Sequence, residues 1–182
     1  MIGFPLNGFG VIVLKKKYSK VRVRIFLTET PNKHNVGGVN HFLHLNNITA
    51  VFCFTEQQYD ANNIHATVYR FEIKDGSPPN RTNSTLLTDF THTFNSLYES
   101  LDAIATKTVD GQELQLNLLF HCDSGYGRAP TMIAYTMISY FHMNGVESIN
   151  QIRKVRKGSI NAKQLQWLMD ISDSKKKTCC IL

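Results

Sequence analysis

The sequence predicts an α/β fold, a central and mostly parallel sheet flanked by helices, from two observations. Short runs rich in β-branched and aromatic residues alternate with apolar stripes at helical spacing, and the chain closes with helices alone. Residues 116–120 (L-N-L-L-F) read as a buried strand that feeds a glycine-bearing loop and then a helix at 132–141. A chain of 182 residues can bury one sizeable core. That single domain spans 1–174, with 1–20 a poorly placed extension, and 175–182 form a basic tail.

Residues 9–14 fit an edge strand, with the lysines at 15–17 marking its solvated end. Residues 21–27 (V-R-V-R-I-F-L) alternate as a strand with one wet face. After the Pro31-Asn32 turn, Val36, Val39, Phe42 and Leu43 recur at helical spacing, although Gly37-Gly38 weakens that helix. Residues 49–55 (T-A-V-F-C-F-T) read as a central strand and 66–73 as another. The stretch D-G-S-P-P-N from Asp75 to Asn80 breaks regular structure. Leu86, Phe90, Phe94, Leu97, Leu101 and Ile104 then form one stripe of the clearest helix. Residues 114–120 return to the sheet. Beyond the helix at 132–141, Asn144-Gly145 predicts a left-handed helix stop. Ile149, Ile152 and Val155 mark a helix broken at Gly158, and Asn161 caps a last one with Leu165, Leu168 and Met169 inward.

The composition is that of a soluble globular protein. The net charge of +6 is concentrated at 15–17, 153–157 and 175–177, which suits phosphate-bearing substrates or an anionic membrane surface; no nucleic-acid motif accompanies it. Four cysteines without regular spacing argue against a disulfide framework, and none forms a Cys-x-x-Cys zinc pattern. His41-x-x-His44 lacks further ligands, so neither a metal nor a cofactor is expected. The N-terminus is apolar first and basic afterwards, the reverse of a secretory signal, and no apolar run is long enough to span a bilayer. A cytoplasmic placement is expected, with the sequons at Asn47, Asn80 and Asn83 unused.

The chemistry gathers at His121-Cys122-Asp123-Ser124-Gly125-Tyr126-Gly127-Arg128-Ala129-Pro130. A loop between a strand and a helix N-terminus aims successive N–H groups at one point, where the helix adds partial positive charge. Backbone donors, a helix N-terminus and a guanidinium together favour a thiolate, the nucleophilic form of cysteine. Arg128 can fork two bonds onto phosphoryl oxygens, a geometry unavailable to lysine. Gly125 and Gly127 allow the torsions that turn N–H groups inward, so residues 123–128 would hold the phosphate. Pro130 fits the first helical turn, where a missing N–H costs little. Asp123 is expected to point to solvent, since a carboxylate facing the site would oppose the thiolate. His121 is expected to bond backbone and orient Cys122.

His-Cys-x5-Arg resembles the signature loop of the cysteine-dependent protein tyrosine phosphatases, and the chain is similar to their phosphatase-of-regenerating-liver (PRL) group within the dual-specificity-like superfamily. Gly127-Arg128-Ala129-Pro130 carries that group's Ala and Pro. Arg156-Lys157-Gly158-Ser159-Ile160-Asn161-Ala162-Lys163-Gln164-Leu165 and Glu56-Gln57-Gln58-Tyr59-Asp60 also resemble PRL segments, the first adding Gln164 as a supporting residue. The resemblance implies a phosphatase fold and a phosphocysteine formed on Cys122. Asp75, in an acidic-Gly-x-Pro-Pro stretch, is implied as the general acid on a mobile loop, although Phe71-Glu72 stands where the group has an aromatic-Pro pair and Lys74 replaces an acidic neighbour. Most of the superfamily has Ser or Thr where Ala129 stands, so slow hydrolysis of the intermediate is expected. The group's second cysteine corresponds to Thr55 here, which leaves Cys53 as the candidate for a redox disulfide with Cys122.

Cys179-Cys180-Ile181-Leu182 reads as a prenylation box with Leu last, the geranylgeranyl preference, and the lysines at 175–177 add the second, electrostatic signal. The expected location is the cytoplasmic face of the plasma membrane or endomembranes. The expected substrate is a phosphorylated protein; the loop lacks the extra lysines suited to a phosphoinositide head group. Resemblance to the PRL group also implies an alternative, a binding module docked on CBS-domain magnesium transporters. An oxyanion reductase would need a redox-active cysteine series that is missing here.

Overall fold

The computed structural model describes residues 10–56, 59–80, 84–107 and 112–179. Among the described residues five strands form one sheet: β1 (Gly10–Lys15), β2 (Val21–Glu29), β3 (Ala50–Cys53), β4 (Thr67–Arg70) and β5 (Leu114–Cys122), in the order β1-β2-β5-β3-β4. Only the β1–β2 pair is antiparallel; β2 and β3 both run parallel to β5, and β4 parallel to β3. The expected mostly parallel sheet is thus present, with β5 at its centre and β3 beside it. Parallel strands bring their C-terminal ends to one edge, and Cys122 ends β5 there, in register with Glu29 of β2.

Helix α1 (Val36–Leu45) covers one face, where Val39, Phe42 and Leu43 pack with Phe26, Val51 and Leu119. Helices α2 (Ser84–Lys107), α3 (Arg128–Ser139), α4 (Gly145–Val155) and α5 (Ala162–Cys179) contribute to the larger core on the other. There Phe52, Phe54, Phe71, Phe90 and Phe120 form one aromatic cluster, with Phe52 and Phe120 centroids 4.7 Å apart. Ring pairs at this spacing contribute about 0.5–1.5 kcal/mol beyond their buried area. Phe120, two residues before Cys122, anchors the end of β5 in this cluster.

Several local expectations change. The wet face of β2 extends only to Arg24, because α1 covers Phe26, whose ring meets Phe42 edge-on at 5.4 Å. The inner stripe of α2 runs through Phe90, Phe94, Tyr98 and Ala105, leaving Ile104 58% exposed. Asn144-Gly145 starts a helix instead of stopping one: the Asn144 side chain accepts from the amides of Val146 and Glu147, and Gly145 begins α4. The left-handed residue after α3 is His142, at φ 56°. The lysines at 15–17 are not a free basic patch either. Lys15 pairs with Glu113, and the Lys16 ammonium lies 3.6 Å from the Tyr140 ring centroid.

Candidate active site

Cys122 is 2% exposed at the floor of a loop that ends in α3, with Gly127 as its N-cap. Gly125 takes φ 71°, and a Cβ there would stand 2.8 Å from the Thr28 carbonyl oxygen, so position 125 requires glycine on both counts. At Gly127 the space is tight, since a Cβ would lie 3.1 Å from the Gln164 amide nitrogen. The 153–157 basic cluster holds the loop from outside. Arg156 donates to the Ser124 carbonyl at 2.7 Å and stacks over Tyr126 at 3.9 Å. Arg153 instead closes the turn before α5, donating to the Ser159 and Ile160 carbonyls.

Arg128, the first residue of α3, is buried behind the loop. Its Nη1 donates to the Ile73 carbonyl at 3.2 Å, and Nη2 donates to Asp123 Oδ2 at 2.6 Å and lies 3.1 Å from Asp75 Oδ1. Its Nε is buried without a partner among the described residues. A buried guanidinium with an unused donor, at a helix N-terminus, is a built anion site.

Asp75 therefore does reach the site, despite Phe71-Glu72 and Lys74. Its loop is held across a gap in sequence by the last helix: Asn161 donates to the Gly76 carbonyl at 2.9 Å and Gln164 to the Ser77 carbonyl at 3.3 Å. Those two residues also cap α5 reciprocally, each accepting the other's amide N–H at 3.0 Å. The sequence reading had Asn161 as a cap; the Asn-x-x-Gln pattern of a capping box was the signal for the pair, and nothing local indicated its reach to residues 76–77.

Two expectations are corrected here. Asp123 does not simply point to solvent: one carboxylate oxygen accepts from Arg128 and the other from the Thr55 hydroxyl. Burial opposes its charge, but those two bonds outweigh burial and hold its pKa below the usual carboxylate range. His121 bonds side chains instead of backbone, with Nε2 2.9 Å from the Tyr59 hydroxyl and Nδ1 3.5 Å from that of Thr30. Burial, aided by the charge of Arg70, drives its pKa down to about 3 and keeps it neutral. Burial also pushes the Tyr59 phenol up, so Tyr59 stays protonated beside it. Residues 57–58 of that segment lie outside the described residues.

Cys53 and Cys122 are both free thiols. Cys53 is in register with His121 on β5, and side chains alternate along a strand, so Cys122 faces the opposite side of the sheet, among Phe52, Phe54 and Phe120. Burial raises the Cys53 thiol above its ordinary value, and the Arg70 guanidinium lies 3.7 Å from its sulfur. The expected redox partnership has no support in this arrangement. Thr55, the aligned position, serves Asp123 instead.

Solved structures give the architecture its class. The chain superposes on a Leishmania major chain given as a protein tyrosine phosphatase with a TM-score of 0.65 at 22% identity, covering 88% of this chain and 96% of that one. Human DUSP28 gives a TM-score of 0.58 at 13% identity, covering 84% and 90%. The fold is that of the dual-specificity-like, cysteine-dependent phosphatases. No protein-family model matches the chain. Among known sequences, Protein tyrosine phosphatase PRL-1 of Leishmania major is 23% identical over 92% of both chains, and its Trypanosoma cruzi counterpart 25% identical over 90% of this chain and 86% of its own. "Probable protein tyrosine phosphatase type IVA A" of Dictyostelium discoideum is 42% identical over 62 residues, 34% of this chain and 37% of that protein. The chain is thus similar along most of its length to proteins named as PRL, or type IVA, protein tyrosine phosphatases, and it shares the phosphatase fold.

Proposed function

We propose that the chain hydrolyses phosphotyrosine, and other phosphate monoesters on proteins, through a phosphocysteine on Cys122. The observation that carries the assignment of roles is Arg128, buried beside Cys122 with an unpartnered Nε and two carboxylates drawn to its Nη2. The Cys122 thiolate attacks phosphorus while the bond to the substrate oxygen breaks, and Asp75 protonates that oxygen as it leaves. Backbone N–H groups of residues 123–128 and the Arg128 fork stabilise the transferring phosphoryl group. Water then cleaves the S–P bond and returns the thiolate. Ala129 is buried at the position after Arg128 and offers no hydroxyl to the departing sulfur, which makes this second step slow.

The surroundings favour protein substrates over inositol head groups. A cavity of about 590 Å³ beside the loop is walled by Glu29, Asp60 and Asp123 against a single cation, Lys33. Such a wall repels a second phosphate near the first. Phosphate release from a phosphotyrosyl peptide should exceed release from phosphatidylinositol 5-phosphate vesicles by at least tenfold, with both lost in Cys122→Ser; the reverse order would assign a lipid substrate.

Membrane attachment through Cys179 and the basic tail completes the reading. Helix α5 continues to Cys179, and Lys175 donates to the Ser139 carbonyl at 2.8 Å; the lysines at 175–177 supply the basic signal. Residues 180–182 lie outside the described residues. Cys179→Ser should move the protein from membrane to soluble fractions; unchanged partition excludes the anchor. A docking role on CBS-domain magnesium transporters is the second reading, favoured by Ala129 and by the carboxylates occupying Arg128. It predicts transporter binding that survives in Cys122→Ser; loss of that binding in Cys122→Ser would count against it.

A further inference from the structure

Arg128 is already liganded by the cradle's own side chain. Its Nη2 donates to Asp123 Oδ2 at 2.6 Å, and Asp123 Oδ1 accepts from Thr55. Asp75 approaches the same nitrogen at 3.1 Å, but its side chain is 83% exposed and sits on a separate loop. Asp123 differs, because it is held through both oxygens and belongs to the phosphate loop itself. A guanidinium–carboxylate bond is the same kind of charge-assisted bond that a phosphoryl oxygen would make. Asp123 and a phosphoryl oxygen therefore compete for one N–H edge, and they repel each other when both are close.

We propose that Asp123 is an affinity-determining residue, a resident carboxylate that holds Arg128 until a phosphoryl group displaces it. The inference rests on the reading of the Cys122 loop as a phosphoryl site and adds what limits its affinity. Binding exchanges one charged hydrogen bond for another, so much of what Arg128 would contribute to an oxyanion is cancelled. The displaced side chain has space, because Asp123 also lines the cavity shared with Glu29, Thr30, Tyr59 and Asp60. Thr55 tethers the carboxylate beside Arg128 through its other oxygen.

Isothermal titration of the full chain with inorganic phosphate tests this. Asp123→Asn keeps the size of the side chain and an acceptor for Thr55 but removes the charge. Its dissociation constant for phosphate should fall at least about tenfold, the effect of exchanging a charged for a neutral competitor. Thr55→Val, which loosens the tether and leaves the charge, should tighten binding by a smaller factor. The Michaelis constant of Asp123→Asn should fall in parallel in single-turnover assays. A purely structural role for Asp123 would give equal or weaker phosphate binding in Asp123→Asn, and either result overturns the proposal. Thermal melts of both variants show whether an affinity change accompanies misfolding. The phosphatase reading fails separately, through absence of phosphate on Cys122, and the affinity comparison stands or falls regardless.

Discussion

Asp75→Asn is expected to slow phosphoenzyme formation from phosphotyrosyl peptide by about 10²–10⁴-fold, the range for loss of a positioned general acid. An activated aryl phosphate, whose leaving group departs as the anion, should be affected far less. The structure explains why Asp75 qualifies. Its loop is clamped from three sides, by Arg128 on the Ile73 carbonyl, Asn161 on the Gly76 carbonyl and Gln164 on the Ser77 carbonyl. The carboxylate thereby stands 3.1 Å from the Arg128 guanidinium, the group proposed to receive the phosphoryl group. Equal losses on peptide and activated aryl phosphate would show that Asp75 acts only by holding Arg128.

The second large effect concerns stability. His121 is fully buried and neutral, with its pKa down at about 3 against an ordinary 6.5. The unfolded chain takes up a proton as pH falls through about 6.5, whereas the folded chain refuses one until about 3. Stability from this group is therefore complete above pH 6.5 and is lost downward at about 1.4 kcal/mol per pH unit. Between pH 6.5 and pH 5, urea unfolding should register a loss of about 2 kcal/mol from His121 alone. His121→Gln, which cannot titrate, should have lower stability at neutral pH and lack that slope. Parallel slopes in the two proteins would place the acid sensitivity elsewhere.

How far the sequence revealed the site depends on how local each contact is. The β5–loop–α3 unit was legible because its strand, glycines and helix start are contiguous, and Cys122 and Arg128 stand within it with five residues between them. The order of strands was not legible, since β5, late in the chain, inserts between β2 and β3. Asp123 was misread because its partner Thr55 lies on a distant segment, and alternation along β5 could not foretell a side chain on the loop beyond it. His121 was misread for the same reason: Thr30 and Tyr59 reach it from two other loops. Cys53 looked like a match for Thr55 two residues away, yet the strand pleat sends Cys53 and Cys122 to opposite faces. Asn144-Gly145 fits either end of a helix, and only the amides of Val146 and Glu147 decide which.

The central claim is that Cys122 carries the phosphoryl group and releases it slowly. Mass spectrometry of rapidly acid-quenched protein, after a single addition of phosphotyrosyl peptide, tests that claim most directly. The prediction is a phosphate adduct on the Cys122 peptide that forms in a burst, persists long after substrate is consumed, and decays faster in Ala129→Ser. No adduct at Cys122 at any time, with phosphate still released from the peptide, would contradict it.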